Sequence, residues 1–365
     1  MKNYLIKTFK NKTILVTGHT GFKGSWLTAW LQSIGANITG VSLNPKTQPS
    51  HFSEAQISKN IKDIRIDIRH KEKISNLIND IKPDFIFHLA AQAIVKDSYS
   101  EPVLTWETNV IGSLNILESL KKLEKKCTVI MVTSDKCYEN VEWVWGYKEN
   151  DKLGGSDPYS ASKAAIEIGI SAFVRSFFYN DKNIRVVSAR AGNVIGGGDW
   201  SNNRIVPDII KAWSNDDQAI LRNPDSTRPW QHVLEPLSGY LNLAAMLNED
   251  FNLNGQSFNF GPSDLVSYTV EDLTKKMSHY WNNKKWQSTR EINPDHESRL
   301  LKLNCDKALS LLKWNSVLNF DETVKFTTDW YKKYYHKKEL ARDITDRQIE
   351  DFTNLAANRN LIWAQ

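Results

Sequence analysis

Three glycines at regular spacing follow the first apolar run of the chain and lead directly into a helical pattern. Thr13–Thr17 is a short β-type run, and the segment TGHTGFKG places Gly18, Gly21 and Gly24 before the helix-type spacing of residues 23–33. A tight turn, a close backbone approach to a diphosphate and helix N–H groups facing an anion all need this arrangement. A ligand-free turn is the alternative, but the strand–loop–helix context favours a dinucleotide site.

The first half of the chain alternates β-type runs with helical patterns. Continuous apolar runs separated by helices indicate a parallel sheet that is covered on both faces. The sequence therefore predicts an α/β fold, a doubly wound parallel sheet of the Rossmann type, with a smaller C-terminal substrate lobe. Further strands are expected at 37–43, 61–66, 84–89 and 127–133, and helices at 72–81 and 103–123.

Beyond about residue 190 the pattern loosens into glycine-rich and polar stretches between short helical ones. We expect a dinucleotide-binding domain at 1–190 with return segments near 229–262, and an interleaved, mainly substrate-binding lobe at 191–345. Phe258–Gly261 has the pattern of a strand that returns to the sheet. The end of the chain from Trp330 is polar and helix-compatible, and residues 346–365 are expected to form a polar C-terminal tail.

Composition argues against several other classes of protein. The net charge of +5 over 365 residues, with acids and bases interspersed, does not indicate nucleic-acid binding. The cysteines are odd in number and widely spaced, which argues against a disulfide framework or a zinc site. No apolar run approaches the ~18 residues that span a bilayer, and the N-terminus lacks the apolar core of a signal peptide. We expect a cytoplasmic protein with no metal, no nucleic-acid partner and no membrane association.

Tyr159 and Lys163 form the first candidate catalytic pair. The pattern YxxxK occurs three times, but only this pair follows a strand that ends in Thr133-Ser134 and opens an apolar helical pattern. Their spacing places both side chains on one helix face. An ammonium group near the phenol, with a positively charged nicotinamide ring, would lower the pKa of the tyrosine and make it a base at neutral pH. The other two pairs, interpreted as solvated helix residues, are Tyr280/Lys284 and Tyr334/Lys338.

Four consecutive polar residues, Thr133 to Lys136, precede that tyrosine. Thr133 and Ser134 could bridge a substrate hydroxyl to Tyr159, or they could cap the strand end. Asp135 and Lys136 could add an acid/base pair to an oxidation, a combination typical of a dehydratase. They could equally form an exposed ion pair of little energetic worth, and local sequence alone favours that simpler interpretation.

The identity of the cofactor depends on the residues after the second strand. NAD sites usually carry an acidic residue there to bind the ribose hydroxyls. Here Leu43 is followed by Asn44, Pro45 and Lys46, so the acid is missing, and no arginine is present to support NADP. Asp67 could contact the adenine or cap a turn. We expect NAD.

Longer segments resemble a known superfamily. Residues 17–27, 88–92, 133–140 and 157–163 are similar to the extended short-chain dehydrogenase/reductases, the NAD-dependent sugar epimerases and dehydratases. WVWGYKEN, RAGNVIGGGDW and RPWQHVLEPLSGY, which begin at residues 143, 190 and 228, narrow the resemblance to the CDP-glucose 4,6-dehydratase family. The resemblance extends from about residue 12 to about residue 330.

The resemblance implies a lyase with an internal redox cycle. Tyr159 would take the C4 hydroxyl proton while hydride leaves C4 for NAD⁺. Water would then be lost across C5 and C6, with Asp135 protonating the departing hydroxyl, and hydride would return to C6 to give CDP-4-keto-6-deoxyglucose. Relatives that act on dTDP-glucose place a glutamate at the position of Lys136. Lys136 is therefore the hypothesised C5 base if desolvation or nearby cations depress its pKa; otherwise it stabilises the enolate.

The resemblance also implies three groups of site residues and a homodimer formed through the Tyr159 helix and its predecessor. The catalytic group is Thr133, Ser134, Asp135, Lys136, Tyr159 and Lys163. The cofactor group is Gly18, Thr20, Gly21, Phe22, Gly24, Asp67, Ile68, Leu89, Ala90, Ala91, Asn109, Tyr159 and Lys163. The candidates for holding CDP-glucose, each alternatively a surface residue, are Asn193, Arg204 and Arg228. Two loop residues that could reach a phosphate are His19 and Lys23.

Three other functions stay open at this point. A nucleotide-sugar 4-epimerase does not need the Asp135-Lys136 pair. Inverting UDP-N-acetylglucosamine 4,6-dehydratases carry Asp-Lys, but their tyrosine follows it much sooner than Tyr159 does here. A cofactor-binding regulator that has lost catalysis would be expected to lack the tyrosine or the lysine. Because Tyr159 and Lys163 are both present, the dehydratase interpretation is favoured.

Overall fold

A central sheet of seven strands organises the molecule. The computed structural model describes residues 4–263, 267–289 and 301–365. The strands of the central sheet are β1 Thr13–Thr17, β2 Asn37–Ser42, β3 Lys62–Arg65, β4 Phe85–His88, β5 Cys127–Val132, β6 Ile184–Ala191 and β11 Ser257–Phe260. Their order is β11-β6-β5-β4-β1-β2-β3, and every pairing is parallel. The predicted doubly wound fold class is confirmed.

Helices surround this sheet, and three two-stranded ribbons lie outside it. The helices are α1 Tyr4–Phe9, α2 Phe22–Ile34, α3 His51–Glu54, α4 Lys71–Ile81, α5 Val95–Ser100, α6 Pro102–Trp106, α7 Ser113–Leu120, α8 Pro158–Phe173, α9 Ile205–Ser214, α10 Leu234–Glu249, α11 Val270–Tyr280, α12 Asp306–Leu312, α13 Phe320–His336 and α14 Ala341–Asn358. The ribbons pair β7 Val194–Ile195 with β10 Gln231–His232, β8 Ala219–Leu221 with β13 Trp286–Ser288, and β9 Thr227–Arg228 with β12 Tyr268–Thr269. No helix of the described ranges is long and apolar enough to cross a membrane.

Alternate residues of the strands face two separate hydrophobic cores. In β1, Ile14 and Val16 pack into one core and Leu15 into the other. All three side chains are at most 1% exposed. Because both faces of an inner strand such as β1 are buried, it needs continuous apolar sequence, which is why an apolar run identifies it.

The strand that returns to the sheet is β11, which pairs with β6 at the sheet edge. It begins one residue before the expected Phe258–Gly261 segment and ends one residue earlier. The chain therefore leaves the sheet after β6, forms part of the outer region, and returns. The division into a cofactor domain and a substrate lobe stays a prediction.

The last twenty residues differ from the expected polar tail. Helix α14 and a 3₁₀ turn at Ile362–Ala364 cover most of residues 346–365. Phe352 and Trp363 are buried, and both rings contact Trp30, at centroid distances of 5.9 and 6.0 Å. The polar composition conceals an apolar stripe at helical spacing, and that stripe packs against α2.

Candidate active site

The candidate residues converge at the carboxyl edge of the parallel sheet. Gly18 follows β1, Leu89 follows β4 and Thr133 follows β5, and these three strands are neighbours. Because parallel strands all end at the same edge, loops that are distant in sequence meet there.

The glycine loop has the shape that a dinucleotide diphosphate needs. Gly18 has φ +78°, and a Cβ there would lie 2.6 Å from the backbone nitrogen of Ala90. Gly24 packs directly on the backbone of Gly18. Gly21 is the N-cap of α2 and makes no side-chain hydrogen bond to the first turn. The backbone N–H groups of that turn can therefore bind an anion. The residues present therefore fit the cofactor.

Two polar side chains of the expected cofactor group, those of Thr20 and Asp67, bind other residues of the protein. The Thr20 hydroxyl lies 2.7 Å from Ser42 Oγ and donates to the Leu43 carbonyl at 3.0 Å, which ties the loop to β2. The Asp67 carboxylate pairs with Arg69 at 2.7 Å and accepts from the Arg69 backbone, which is the turn-capping alternative. Ile68 is buried, and the half-buried members of the group are Phe22, Leu89, Ala90 and Ala91.

Asn109 braces the site from within the helical segment between α6 and α7. Its amide donates to the Gln92 carbonyl and to Ser162 Oγ, and its oxygen accepts from the Gln92 backbone at 2.8 Å. Asn109 is 1% exposed. Asn109 therefore joins the segment after β4 to helix α8.

An arginine does lie beside the end of β2, contrary to the expectation from sequence. Arg65, the last residue of β3, donates to Asn44 at 3.0 Å and forms a two-pronged ion pair with Asp63. His19 also contacts Asp63, at 2.7 Å, so its ring turns towards β3. Because Arg65 ends β3, it is not among the residues after β2 on which the expectation of NAD is based. Its carboxylate partner makes it a poor 2′-phosphate site.

Ser134, Asp135 and Tyr159 form a buried row at the start of α8. Asp157 caps this helix by accepting from the Ser160 backbone at 2.9 Å, and Pro158 is its first residue, so the helix start positions Tyr159. The Ser134 hydroxyl donates to the Asp135 carboxylate at 3.0 Å, and Ser134 also lies close enough to Tyr159 to oppose the effect of burial on the pKa of the phenol. A hydroxyl thus links the candidate base to the candidate acid.

Burial dominates the electrostatics of this row. It raises the pKa of Tyr159 to about 12, so the expected lowering of this pKa is not produced by the protein's own groups. The Lys163 ammonium lies 6.0 Å from the Tyr159 ring centroid. Burial also raises the pKa of Asp135, with Lys136 opposing the shift, and a protonated carboxyl is the form that can act as an acid.

Thr133 does not bridge to Tyr159. Its hydroxyl donates to the buried Glu167 carboxylate at 2.5 Å, further along α8 than Tyr159. Of the two candidates, Ser134 is the one that the structure places against Tyr159.

Lys23 belongs to the acid/base cluster rather than to the loop alone. It interacts electrostatically with Asp135, Arg204 and Lys163, and burial lowers its pKa to about 8. A cation in the first turn of a helix is disfavoured by the helix dipole, and α2 has no acidic residue there to compensate. That mismatch is the sequence signal that could have identified it. Lys136, the hypothesised C5 base, is half-buried.

The three candidate substrate residues occupy different parts of the outer region. Arg204 precedes α9, pairs with Asp199 at 3.0 Å and interacts with the catalytic cluster through Lys23. Asn193 is exposed between β6 and β7. Arg228 is half-buried on β9 and donates to the Thr227 carbonyl. Of the three, Arg204 is the one whose charge acts on Lys23 and Tyr159.

Comparison with known families agrees with this geometry. The profile of the family described as GDP-mannose 4,6 dehydratase matches residues 15–327. The chain belongs to this 4,6-dehydratase family. The CDP-glucose 4,6-dehydratase of Salmonella typhimurium is 43% identical over 349 residues, which covers 94% of this chain and 97% of the relative.

Solved structures of more distant relatives share the fold. The UDP-glucose 4-epimerase of Thermus thermophilus, in complex with NAD, gives a TM-score of 0.75 at 23% identity and covers 88% of this chain and 99% of its own. The dTDP-glucose 4,6-dehydratase of Bacillus anthracis, also with NAD, gives 0.73 at 20% identity, with 89% and 98% covered. These likenesses confirm the Rossmann-type architecture of this 4,6-dehydratase.

Proposed function

We propose that this protein is a CDP-glucose 4,6-dehydratase, a lyase that converts CDP-glucose to CDP-4-keto-6-deoxyglucose and water. The observation that carries the proposal is the buried row in which Ser134 links Tyr159 to Asp135. It holds a base for the C4 hydroxyl beside an acid for the C6 hydroxyl. The 43% identity to the Salmonella CDP-glucose enzyme supports the choice of nucleotide.

NAD is the proposed cofactor, and the glycine loop fits its diphosphate. When bound, NAD⁺ supplies the hydride acceptor for C4 and returns the hydride to C6. Tyr159 accepts the C4 hydroxyl proton through its phenolic oxygen, with Ser134 holding that oxygen in place. Lys163 lies one turn further along α8, and its ammonium supports the phenolate that this role requires.

The elimination is the task of Asp135 and a lysine. The raised pKa of Asp135 keeps its carboxyl protonated to higher pH, so it can donate a proton to the departing C6 hydroxyl. Lys136 is the proposed C5 base, held next to Asp135 by the bond from its backbone N–H to Ser134 Oγ at 3.2 Å. A 4-epimerase or a catalytically inactive regulator has no use for this buried acid.

Binding of the nucleotide sugar is proposed for the region outside the sheet. Arg204 and Arg228 have the planar donor geometry that suits a diphosphate, and Asn193 follows the turn in which Gly192 packs on Asp135. A Cβ on Gly192 would lie 3.0 Å from the Asp135 carboxylate. The substrate-lobe role of residues 191–345 is part of this proposal.

Assembly and compartment complete the proposal. A homodimer through the α6–α7 segment and α8 is supported by exposed apolar side chains there: Val103 is 69%, Ile111 50% and Ile168 61% exposed. Burying them would remove apolar surface from water. A cytoplasmic location is supported by three cysteines that are all unpaired.

The test is product formation with a panel of donors. The purified protein is incubated with NAD⁺ and, separately, with CDP-, dTDP-, GDP- and UDP-glucose and with UDP-N-acetylglucosamine. The readouts are the alkaline absorbance of a 4-keto-6-deoxy sugar and NMR of the product. We expect a signal with CDP-glucose alone and retained configuration at C5. A signal confined to another nucleotide would overturn the substrate, and a 4-epimer without loss of water would overturn the reaction.

The variant that tests the acid is Asp135→Asn. Asparagine keeps the shape of the side chain but cannot donate a proton to the leaving hydroxyl. Its kcat should fall by about 10²–10⁴-fold, the usual contribution of a general acid. Asp80→Asn, at an exposed position on α4, should retain the activity of the parent protein. Full activity in Asp135→Asn would contradict the role of Asp135.

A further inference from the structure

Glu167 shares the buried face of α8 with the catalytic pair. Tyr159, Lys163 and Glu167 recur every fourth residue, so they lie in a row along one side of the helix. They are 8%, 5% and 3% exposed, and Glu167 is the innermost of the three. The proposed reaction gives this carboxylate no task.

The Glu167 carboxylate joins α8 to three neighbouring strands of the sheet. One oxygen accepts from Thr133 Oγ1 at 2.5 Å, directly after β5. The other accepts from Ser188 Oγ at 2.8 Å and Arg190 Nη2 at 2.6 Å, both on β6, and from Ser257 Oγ of β11 at 3.3 Å. The carboxylate therefore sets the position of the β5 end, where Ser134 begins the catalytic row.

Arg190 extends this network away from the site. Its guanidinium also donates to the Tyr138 hydroxyl at 2.8 Å and to the Glu149 carbonyl at 2.9 Å. The Arg190 and Glu167 side chains are 3% and 2% exposed, so the pair is fully desolvated. A buried ion pair is seldom a net gain in stability over apolar side chains of the same size, so stability alone is a weak explanation for it.

The groups around Lys163 show what Glu167 adds. Five titratable side chains from four parts of the fold interact with Lys163, and they are Tyr159 and Glu167 on α8, Cys137 after β5, His88 on β4 and Lys23 on α2. Burial lowers the pKa of His88 to about 3 and raises those of the Tyr159 and Cys137 side chains, so these three are uncharged at neutral pH. Lys23 is a second cation. Glu167 is the one negative charge of this set.

The pKa of Lys163 reflects two opposing effects, burial and the charge of Glu167. Burial lowers the pKa of Lys163 to about 8, and the charge of Glu167 opposes that shift. Burial acts against the ionised form of Glu167 too, but the charge and hydrogen bonds of Arg190 outweigh it and lower the pKa of Glu167. The carboxylate is therefore ionised at every pH at which Lys163 titrates.

We propose that Glu167 is a positioning residue of the catalytic pair, which keeps Lys163 protonated and holds Thr133 so that Ser134 faces Tyr159. The inference rests on the proposed function for its activity readout. It assigns the Glu167–Arg190 pair two separable tasks. Glu167 serves the catalytic lysine, and Arg190 offsets the cost of burying Glu167.

The first experiment compares the pH profiles of kcat for the parent protein and Glu167→Gln. Loss of a carboxylate near a lysine should lower the pKa of that lysine, so the alkaline limb of the profile should move down by roughly one to two pH units. At pH values below the alkaline limb, where Lys163 is protonated in both proteins, the difference in kcat between the parent and Glu167→Gln should become smaller. Glu124→Gln, at an exposed position after α7, is the control with an unchanged limb.

The double variant Glu167→Gln/Arg190→Met separates positioning from stability. Glu167→Gln alone leaves the Arg190 charge buried without its partner and should unfold at lower temperature. Replacing Arg190 as well should recover the melting temperature, while the alkaline limb stays at its lowered pH. If the limb returns together with the melting temperature, or never moves in the single variant, the positioning role is overturned.

A substrate-free readout distinguishes failure of this inference from failure of the proposed function. NADH binding, followed by its fluorescence, should weaken as Lys163 loses its proton, and at lower pH in Glu167→Gln than in the parent. If the parent does not dehydrate CDP-glucose but this shift is observed, the proposed function fails and the positioning role stands. If NADH binding shows no shift between the two proteins, the positioning role is overturned.

Discussion

Two neighbouring hydroxyls, on Thr133 and Ser134, serve different purposes in this site. Ser134 lies near the Tyr159 phenol, whereas Thr133 donates to Glu167 on the same helix. Both side chains are 7% exposed, so burial does not distinguish them. The distinction lies in the position that each residue meets on α8, which is Tyr159 at the helix start for Ser134 and Glu167 further along the helix for Thr133.

Ser134→Ala and Thr133→Val should therefore fail in different ways. Ser134→Ala removes the group that links Tyr159 to Asp135, and kcat should fall by about 10²-fold or more with little change in unfolding. Thr133→Val removes one donor to a buried carboxylate and should lower the free energy of unfolding by about 1.5–3 kcal/mol. Steady-state kinetics and chemical denaturation measure the two effects. A loss of kcat in Thr133→Val equal to that in Ser134→Ala would contradict this division.

Glycines 196–198, between β7 and α9, each lie close to an aromatic ring of another element. A Cβ on Gly196 would lie 3.2 Å from Phe22, and one on Gly198 would lie 2.5 Å from His51. At Gly197 an added Cβ would overlap the Trp330 ring. This segment lets α2, α3 and α13 approach each other, because its backbone takes up no side-chain space.

Gly197→Ala should accordingly destabilise the protein by about 1–3 kcal/mol or more, the cost of overpacking a closed core. The measurement is the free energy of unfolding in denaturant. Gly154→Ala is the control, since a Cβ there would meet only the Glu139 side chain, at 3.3 Å. Equal stability of the two variants would show that the Trp330 ring moves aside at little cost.

A chain of hydrogen bonds connects helix α14 to the first turn of helix α2, which follows the glycine loop. Thr345 of α14 lies 2.9 Å from His51 Nε2, and His51 Nδ1 lies 2.8 Å from Ser25 Oγ. Ser25 in turn donates to the Phe22 carbonyl in the first turn of α2. Burial lowers the pKa of His51 to about 3, so the ring is neutral and accepts from one hydroxyl while it donates to the other.

Thr345→Val should disrupt this chain without altering the volume of the core. It leaves His51 Nε2 and the Trp330 indole N–H, which donates to Thr345 at 3.1 Å, buried without their partner. Each such group costs about 1–3 kcal/mol, so the melting temperature should fall clearly. Differential scanning calorimetry measures the loss. Thr345→Ser keeps the hydroxyl and should recover most of the stability; failure to do so would point to the methyl group instead.

Local sequence was sufficient for the strands, the glycine loop and the Tyr159 helix, because each depends on residues that are close along the chain. Apolar runs identify buried strands, Gly18 is required by a positive φ, and Asp157-Pro158 specifies where α8 begins. Local sequence was insufficient for α14. Its polar composition suggested a tail, and its apolar stripe becomes meaningful only with α2 beside it.

The sequence by itself determined the Rossmann-type sheet and the cofactor loop and predicted the Tyr159–Lys163 pair, since short-range patterns encode these. The acid role of Asp135 is predicted only by the family resemblance. Only the tertiary structure decided which groups act on one another. It turned Ser134 towards Tyr159, placed Glu167 beside Lys163, and brought Lys23 and Arg65 to positions that their own neighbours in sequence do not reveal. The physical reason is that burial and opposing charge set the pKa values of the site, and both come from elements far apart along the chain.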